Sequence, residues 1–284
     1  MLTSARPIGV FDSGVGGLSV LQALHRLMPH ERFVYLADSA HAPYGEKSDA
    51  EVQARALAVT DHLIRAHRIK ALVVACNTAT AAAIQLMRAQ HPQMVIVGLE
   101  PAIKPAVGMT RTGRIGVMAT RGTTQSQKFK DLLATLEHQA EYVVCACDGL
   151  ALAIEQSTRS AHMDTAPARI TDLISTYTGK LGPWGDQPGQ MDTLVLGCTH
   201  YVFAHDEIQA KVGPKVTLIH TGDAVAVQTR RRLTETQQLS NRSGPIEPAD
   251  MLGFWTTGDL DSLKAATQRW LQLPRSLCHQ AEEV

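Results

Sequence analysis

The sequence predicts an α/β protein made of two similar, pseudo-symmetric halves that face each other across a cleft. Short apolar runs alternate with helical patterns along the chain, the order that builds parallel sheets covered by helices. The opening pattern Ile8-Gly9-Val10-Phe11 returns at Ile115-Gly116-Val117-Met118, each time followed by a polar, glycine-bearing loop and a helix. Each half then offers a buried strand that ends in a thiol, Ala71-Leu72-Val73-Val74-Ala75-Cys76 and Thr193-Leu194-Val195-Leu196-Gly197-Cys198. The carboxyl ends of such strands are where open α/β sheets place their ligands.

Taken in order, the first strand runs into Asp12-Ser13-Gly14-Val15-Gly16-Gly17 before the helical pattern of Leu18, Leu21, Leu24 and Leu27. A glycine-rich turn between strand and helix lets backbone amides approach an anion. The dinucleotide fingerprint is incomplete, because its third glycine would fall on Ser19 and Asp12 sits beside the loop that should receive phosphate. The strand Phe33 to Leu36 leads through Asp38-Ser39 to a loop carrying Pro43-Tyr44-Gly45. Ser48 and Glu51 then form a capping box for a helix with Val52, Ala56, Val59 and Leu63 inside. Cys76 stands where the helix opening at Asn77-Thr78 begins, so orphan amides and the helix dipole should favour its thiolate.

The strand Val95-Ile96-Val97 closes this series, and the repeat starts at Ile115 with the loop from Ala119-Thr120 to Thr124. A strand from Tyr142 to Cys147, a helix from about Leu150 carrying Glu155, and a turn-rich surface loop from Gly179 to Gln190 precede the Cys198 strand. The remainder holds a strand from Val216 to Ile219, a helix from Ala224 to Leu233, a strand from Leu252 to Thr256 and a final helix, with no site of its own. The expected architecture is two flavodoxin-like parallel-sheet domains, residues 1–98 plus 213–284 and residues 99–212.

Composition narrows the function. Lys plus Arg and Asp plus Glu number 27 each in 284 residues, so no basic field draws nucleic acid or anionic lipid, and a small polar ligand is expected. Neither a secretory h-region nor a stretch of transmembrane length is present, which points to a cytoplasmic protein without a membrane partner. Five cysteines, widely spaced, argue against a disulfide framework, and Cys145 and Cys147 read as small buried apolar residues. No zinc spacing or Walker loop occurs, so neither metal nor cofactor is expected.

Two thiols on opposite walls of a cleft suit a nearly symmetric reaction. If one thiolate removes a proton from carbon and the opposite thiol returns one to the other face, the product is the mirror image. Two alternatives stay open on the residues alone. Cys198 with His200 could form a hydrolase dyad, which leaves Cys76 unexplained, and the two lobes could simply close on a small anion.

The motifs Asp12-Ser13-Gly14-Val15-Gly16-Gly17-Leu18-Ser19, Pro43-Tyr44-Gly45, Ala75-Cys76-Asn77-Thr78-Ala79, Leu196-Gly197-Cys198-Thr199-His200-Tyr201 and Thr256-Thr257-Gly258-Asp259 resemble those of the bacterial glutamate racemases. That family lies in the cofactor-independent aspartate/glutamate racemase superfamily, and the resemblance spans nearly the whole chain. It implies that Cys76 acts on the Cα–H of D-glutamate and Cys198 on that of L-glutamate. By the same resemblance Asp12 assists the first thiol, while His200 and Glu155 serve the second. Substrate contacts are implied for Asp12, Ser13, Pro43, Tyr44, Gly45, Asn77, Thr78, Thr120 and Thr199, along with the thiols and His200. A homodimer that supplies D-glutamate for peptidoglycan in a bacterial cytoplasm is expected. Asp148 and Leu152 stand where the family usually has proline.

Overall fold

Strands form where runs of apolar, often β-branched residues lie between turn formers. The computed structural model describes residues 3–158, 165–244, 247–282 and 284. Within them the strands, in chain order, are β1 (Ile8–Asp12), β2 (Phe33–Ala37), β3 (Ala71–Val74), β4 (Val95–Gly98), β5 (Arg114–Ala119), β6 (Glu141–Ala146), β7 (Thr193–Leu196), β8 (Thr217–Ile219), β9 (Leu252–Thr256) and β10 (Cys278–Gln280). They assemble into a six-stranded sheet of order β10-β9-β2-β1-β3-β4 and a four-stranded sheet of order β6-β5-β7-β8. All ladders are parallel.

Parallel sheets are covered on both faces, which explains why β1 to β3 are apolar without alternation. On one face of the first sheet, Ile8 and Val10 pack with Leu18, Leu21 and Leu24 of the helix Leu18–Leu27. On the other, Phe11, Leu72 and Val74 meet Val52, Ala56, Val59 and Leu63 of the helix Asp49–His67. The capping box that starts the latter helix is present, with Ser48 N donating to Glu51 Oε2 at 3.0 Å. The second sheet is sandwiched in the same way between two apolar clusters.

The repeat is structural. Ile8 pairs with Ala71 and Ile115 pairs with Thr193, so the two Ile-Gly-Val strands carry their thiol-bearing neighbours in one register. Cys76 lies five residues beyond Ala71 (76 − 71) and Cys198 five beyond Thr193 (198 − 193). Both sulfurs therefore stand at equivalent places at the carboxyl edges of their sheets.

Three expectations need correction. The sequence pattern puts the return to the first half at residue 213, but Thr193, Leu194 and Val195 pair with β8, so the chain leaves the second sheet only after Ile219. A three-residue strand carries too little pattern to reveal its sheet. The surface loop expected from Gly179 begins later, since the helix Ala166–Leu181 runs through that glycine and Gly182 takes the positive φ that ends it. The tail also adds β10, whose Cys278 pairs with Phe254.

Candidate active site

β1 ends on Asp12, whose carboxylate is fully buried and folds back onto its own loop. Ser13 N donates to Oδ1 at 2.7 Å and Gly17 N to Oδ2 at 2.6 Å. The glycine-rich loop thus turns its amides on an internal carboxylate, which is why it needs no phosphate. Thr199 Oγ1, from the other half, donates to Asp12 Oδ2 at 3.2 Å. Burial pushes the Asp12 carboxyl up from its ordinary range, opposed by the nearby His200 charge and reinforced by Glu155.

Cys76 caps the helix Asn77–Gln90, its sulfur accepting from Ala79 N at 3.4 Å. That placement agrees with the sequence, but the expected thiolate preference does not follow. Burial, and then the charge of Asp12, hold the Cys76 thiol well above its ordinary value despite the amide. A helix terminus contributes too little to offset desolvation of a thiolate inside a closed cleft.

Cys198 is arranged differently. The segment after it is a 3-10 helix, Thr199–Ala204, and the sulfur lies 3.8 Å from His200 Nδ1. The other ring nitrogen, Nε2, is 2.8 Å from Glu155 Oε2, and all three side chains are buried. Burial acts against charge on both members of this pair. Their mutual hydrogen bond and attraction outweigh it, so Glu155 is held below its ordinary range and His200 well above its own. Cys198 and Glu155 add to the rise at His200, whereas Val15 N and Ser39 add to the fall at Glu155.

The halves meet through these groups. Val15 N donates to Glu155 Oε2 at 2.8 Å, Ser39 Oγ to Glu155 Oε1 at 2.8 Å, and the Thr78 and Thr120 hydroxyls lie 2.9 Å apart. Gly14 and Gly16 make the approach possible, because a Cβ at either would overlap the Glu155 carboxylate or the His200 ring. The cleft is closed. Its free space is about 20 Å³, enough for a water and too little for an amino acid, so a substrate enters only when the halves part.

Every residue singled out from the sequence lines this one cavity: Asp12, Ser13, Pro43, Tyr44, Gly45, Cys76, Asn77, Thr78, Thr120, Glu155, Cys198, Thr199 and His200. Ala42, Ala151, Leu152 and Gly197 complete the lining and were missed, since small or apolar residues carry no chemical signal. Asn77, which lines this cavity, has its Oδ1 buried without a hydrogen-bond partner, an acceptor still unused. Tyr44 does not offer a free hydroxyl, because it donates to the buried Asp38 at 2.6 Å. A roomier groove of about 450 Å³ runs past Arg88, Lys104, Lys128 and Arg232 and holds neither thiol.

One cavity thus holds a thiol from each lobe, with a buried carboxylate beside the first and an imidazole beside the second, and the comparisons place this fold among the isomerases of the racemase class. The family model described as Asp/Glu/hydantoin racemase matches residues 8–229, and the chain belongs to that family. It is 43% identical over 282 residues to a glutamate racemase of Ectopseudomonas mendocina, covering 99% of this chain and 98% of that one. With a glutamate racemase of Cupriavidus pinatubonensis it shares 46% identity over 98% of this chain and 94% of the relative. Among solved structures, a Bacillus anthracis glutamate racemase superposes with a TM-score of 0.81 at 31% identity, covering 98% of both chains. The Escherichia coli glutamate racemase, in complex with L-glutamate and an activator, gives 0.80 at 25% identity and covers 98% of this chain and 99% of that one.

Proposed function

We propose that this protein interconverts L- and D-glutamate by a two-base proton transfer at the α-carbon. The observation that carries this reading is the placement of Cys76 and Cys198 at register-equivalent strand ends on one cavity. The Cys198 thiolate takes the α-proton of L-glutamate while Cys76, as thiol, protonates the opposite face; the reverse reaction exchanges the roles. His200 and Glu155 manage the charge at Cys198 and Asp12 does so at Cys76. Asn77 Oδ1 accepts from the substrate ammonium, whose positive charge brings Cys76 within reach of its thiolate. Hydroxyls of Ser13, Thr78, Thr120 and Thr199 hold the carboxylates in a water-poor space, where oriented donors stabilise developing negative charge more than they could in water.

Glutamate as substrate is supported by the relatives, which are glutamate racemases by name at 43–46% identity over nearly the full chain. The proposed setting is the cytoplasm of a bacterium, where the homodimeric enzyme supplies D-glutamate for peptidoglycan. No described helix is long and apolar enough to cross a membrane.

The test incubates each enantiomer of glutamate with the wild type, Cys76→Ala and Cys198→Ala in deuterated water. The wild type is expected to racemise both enantiomers with α-deuteration, and each variant to lose racemisation by at least about a thousand-fold. Racemisation that survives in either variant overturns the two-base scheme.

A further inference from the structure

The contacts that end on Cys198 do not begin in its own half. Ser39 follows β2 in the first half, and its Oγ donates to Glu155 Oε1 at 2.8 Å. The other oxygen, Oε2, receives Val15 N and His200 Nε2, each at 2.8 Å, and His200 Nδ1 faces Cys198 Sγ. A carboxylate with both oxygens engaged in this way has one orientation, and so has the imidazole it holds. We propose that Ser39 is a positioning residue for the second thiol, fixing the Glu155 carboxylate so that His200 is aimed at Cys198 only when the cleft is closed.

Ser39 is suited to this role by how it is held. Thr257 Oγ1 donates to the side-chain Oδ1 of Asp38 at 2.8 Å and accepts from the backbone N of Ala40 at 3.2 Å, so the residues on either side of Ser39 are tied to one hydroxyl. A Cβ at Gly258 would come within 2.8 Å of the Ser39 Cβ, so the segment after β9 presses directly against it. The Thr257-Gly258 stretch, read from sequence as having no site of its own, thereby aims a hydroxyl across the cleft. Ser39 does not line the cavity, so its loss removes no substrate contact. Nor does it touch Cys76, whose sulfur accepts from Ala79 N and lies 3.9 Å from Ser13 Oγ.

The role rests on the racemase reading and adds to it a one-sided effect. The step in which a proton passes between the α-carbon and Cys198 depends on Ser39, whichever way it runs, and the step at Cys76 does not. The titratable groups around Glu155 are His200 from its own half and Asp12 and Tyr35 from the strands opposite. Of these only His200 is charged in the sense that holds Glu155 ionised, so a lost donor shows in the pH profile.

The experiment compares rates with protiated and α-deuterated L- and D-glutamate for the wild type and Ser39→Ala, with thermal unfolding as a check on folding. The variant is expected to unfold within a few degrees of the wild type and to lose about ten-fold in kcat, as for a hydrogen bond to a charged group, with KM within two-fold. Its deuterium isotope effect should rise with L-glutamate and fall with D-glutamate, because the slowed Cys198 step masks the proton removal at Cys76, and the acid limb of kcat should move to higher pH. Isotope effects that shift equally for both enantiomers, or a loss carried by KM, overturn the proposal while leaving the racemase intact. Absence of α-exchange by the wild type defeats the racemase reading and this role with it.

Discussion

The strands that lead to Cys76 and Cys198 share one register against Ile8 and Ile115, but the surroundings of the two sulfurs diverge. Four residues past Ile8 stands Asp12, and four past Ile115 stands Ala119. Two residues past Cys76 stands Thr78, and two past Cys198 stands His200. The first thiol is capped by a helix amide and faces a carboxyl that burial pushes towards neutrality. The second faces an imidazole held well above its ordinary value, against burial, by its hydrogen bonds to Cys198 and the buried Glu155 carboxylate. The fold repeats what places the two sulfurs and varies the groups that face them. For a reaction whose two end states are mirror images, equal placement is required and equal chemistry is not.

The contrast breaks most severely where the second half loses its buried partner. Glu155→Ala leaves the His200 cation alone inside the cleft, and about 3–5 kcal/mol of stability should go with it, read by urea unfolding. A loss below about 1 kcal/mol would mean that the pair is not charged. A smaller effect, confined to activity, is expected from the side that receives His200. Gly16→Ala puts a methyl into the imidazole ring and keeps the cleft from closing, so kcat should fall about a hundred-fold. Gly108→Ala, where a Cβ meets nothing within 4 Å, should leave kcat unchanged. Equal effects at both positions would show that closure is not what Gly16 permits.

The finest distinction is in pH. Asp12 is raised in the folded state, so its contribution is fully present below its unfolded value of 3.8 and fades as pH rises through the folded one. Glu155 is lowered, so its contribution is present above its unfolded value of 4.5 and fades as pH falls through the folded one. Acid therefore relieves the first half and strains the second, each by at most about 1.4 kcal/mol per pH unit. In acid melts, Glu155→Gln should flatten the fall in Tm and Asp12→Asn should steepen it. Parallel changes in the two variants would contradict the opposite signs.

Much of this was legible in the chain. The Ile-Gly-Val repeat, the two strand-to-cysteine runs and the Asp-Ser-Gly loop are local patterns, and they brought the fold, the pairing of the thiols and the cavity lining together. What escaped depends on distance. Cys76 was expected to ionise readily from its helix position, yet its state is set by burial and by Asp12, which arrives from another strand. β8 and β10 have three residues each, too few for periodicity to show. Ser39 and the Val15 amide meet Glu155 only across the closed cleft, more than a hundred residues away in sequence.

The order of the strands also bears on how the protein is made. β9 and β10 complete the first sheet only after every strand of the second has been synthesised, so the half that begins first is finished last. Until β9 arrives, β2 is a bare edge of apolar residues, the kind of edge that recruits other chains. A nascent chain halted before residue 252 would already carry both thiols, but not the Thr257-Gly258 stretch that holds Ser39 in place. Copies that stop short of β9 are thus expected to be aggregation-prone and inactive, and competence comes only once residues 252–280 have joined the first sheet.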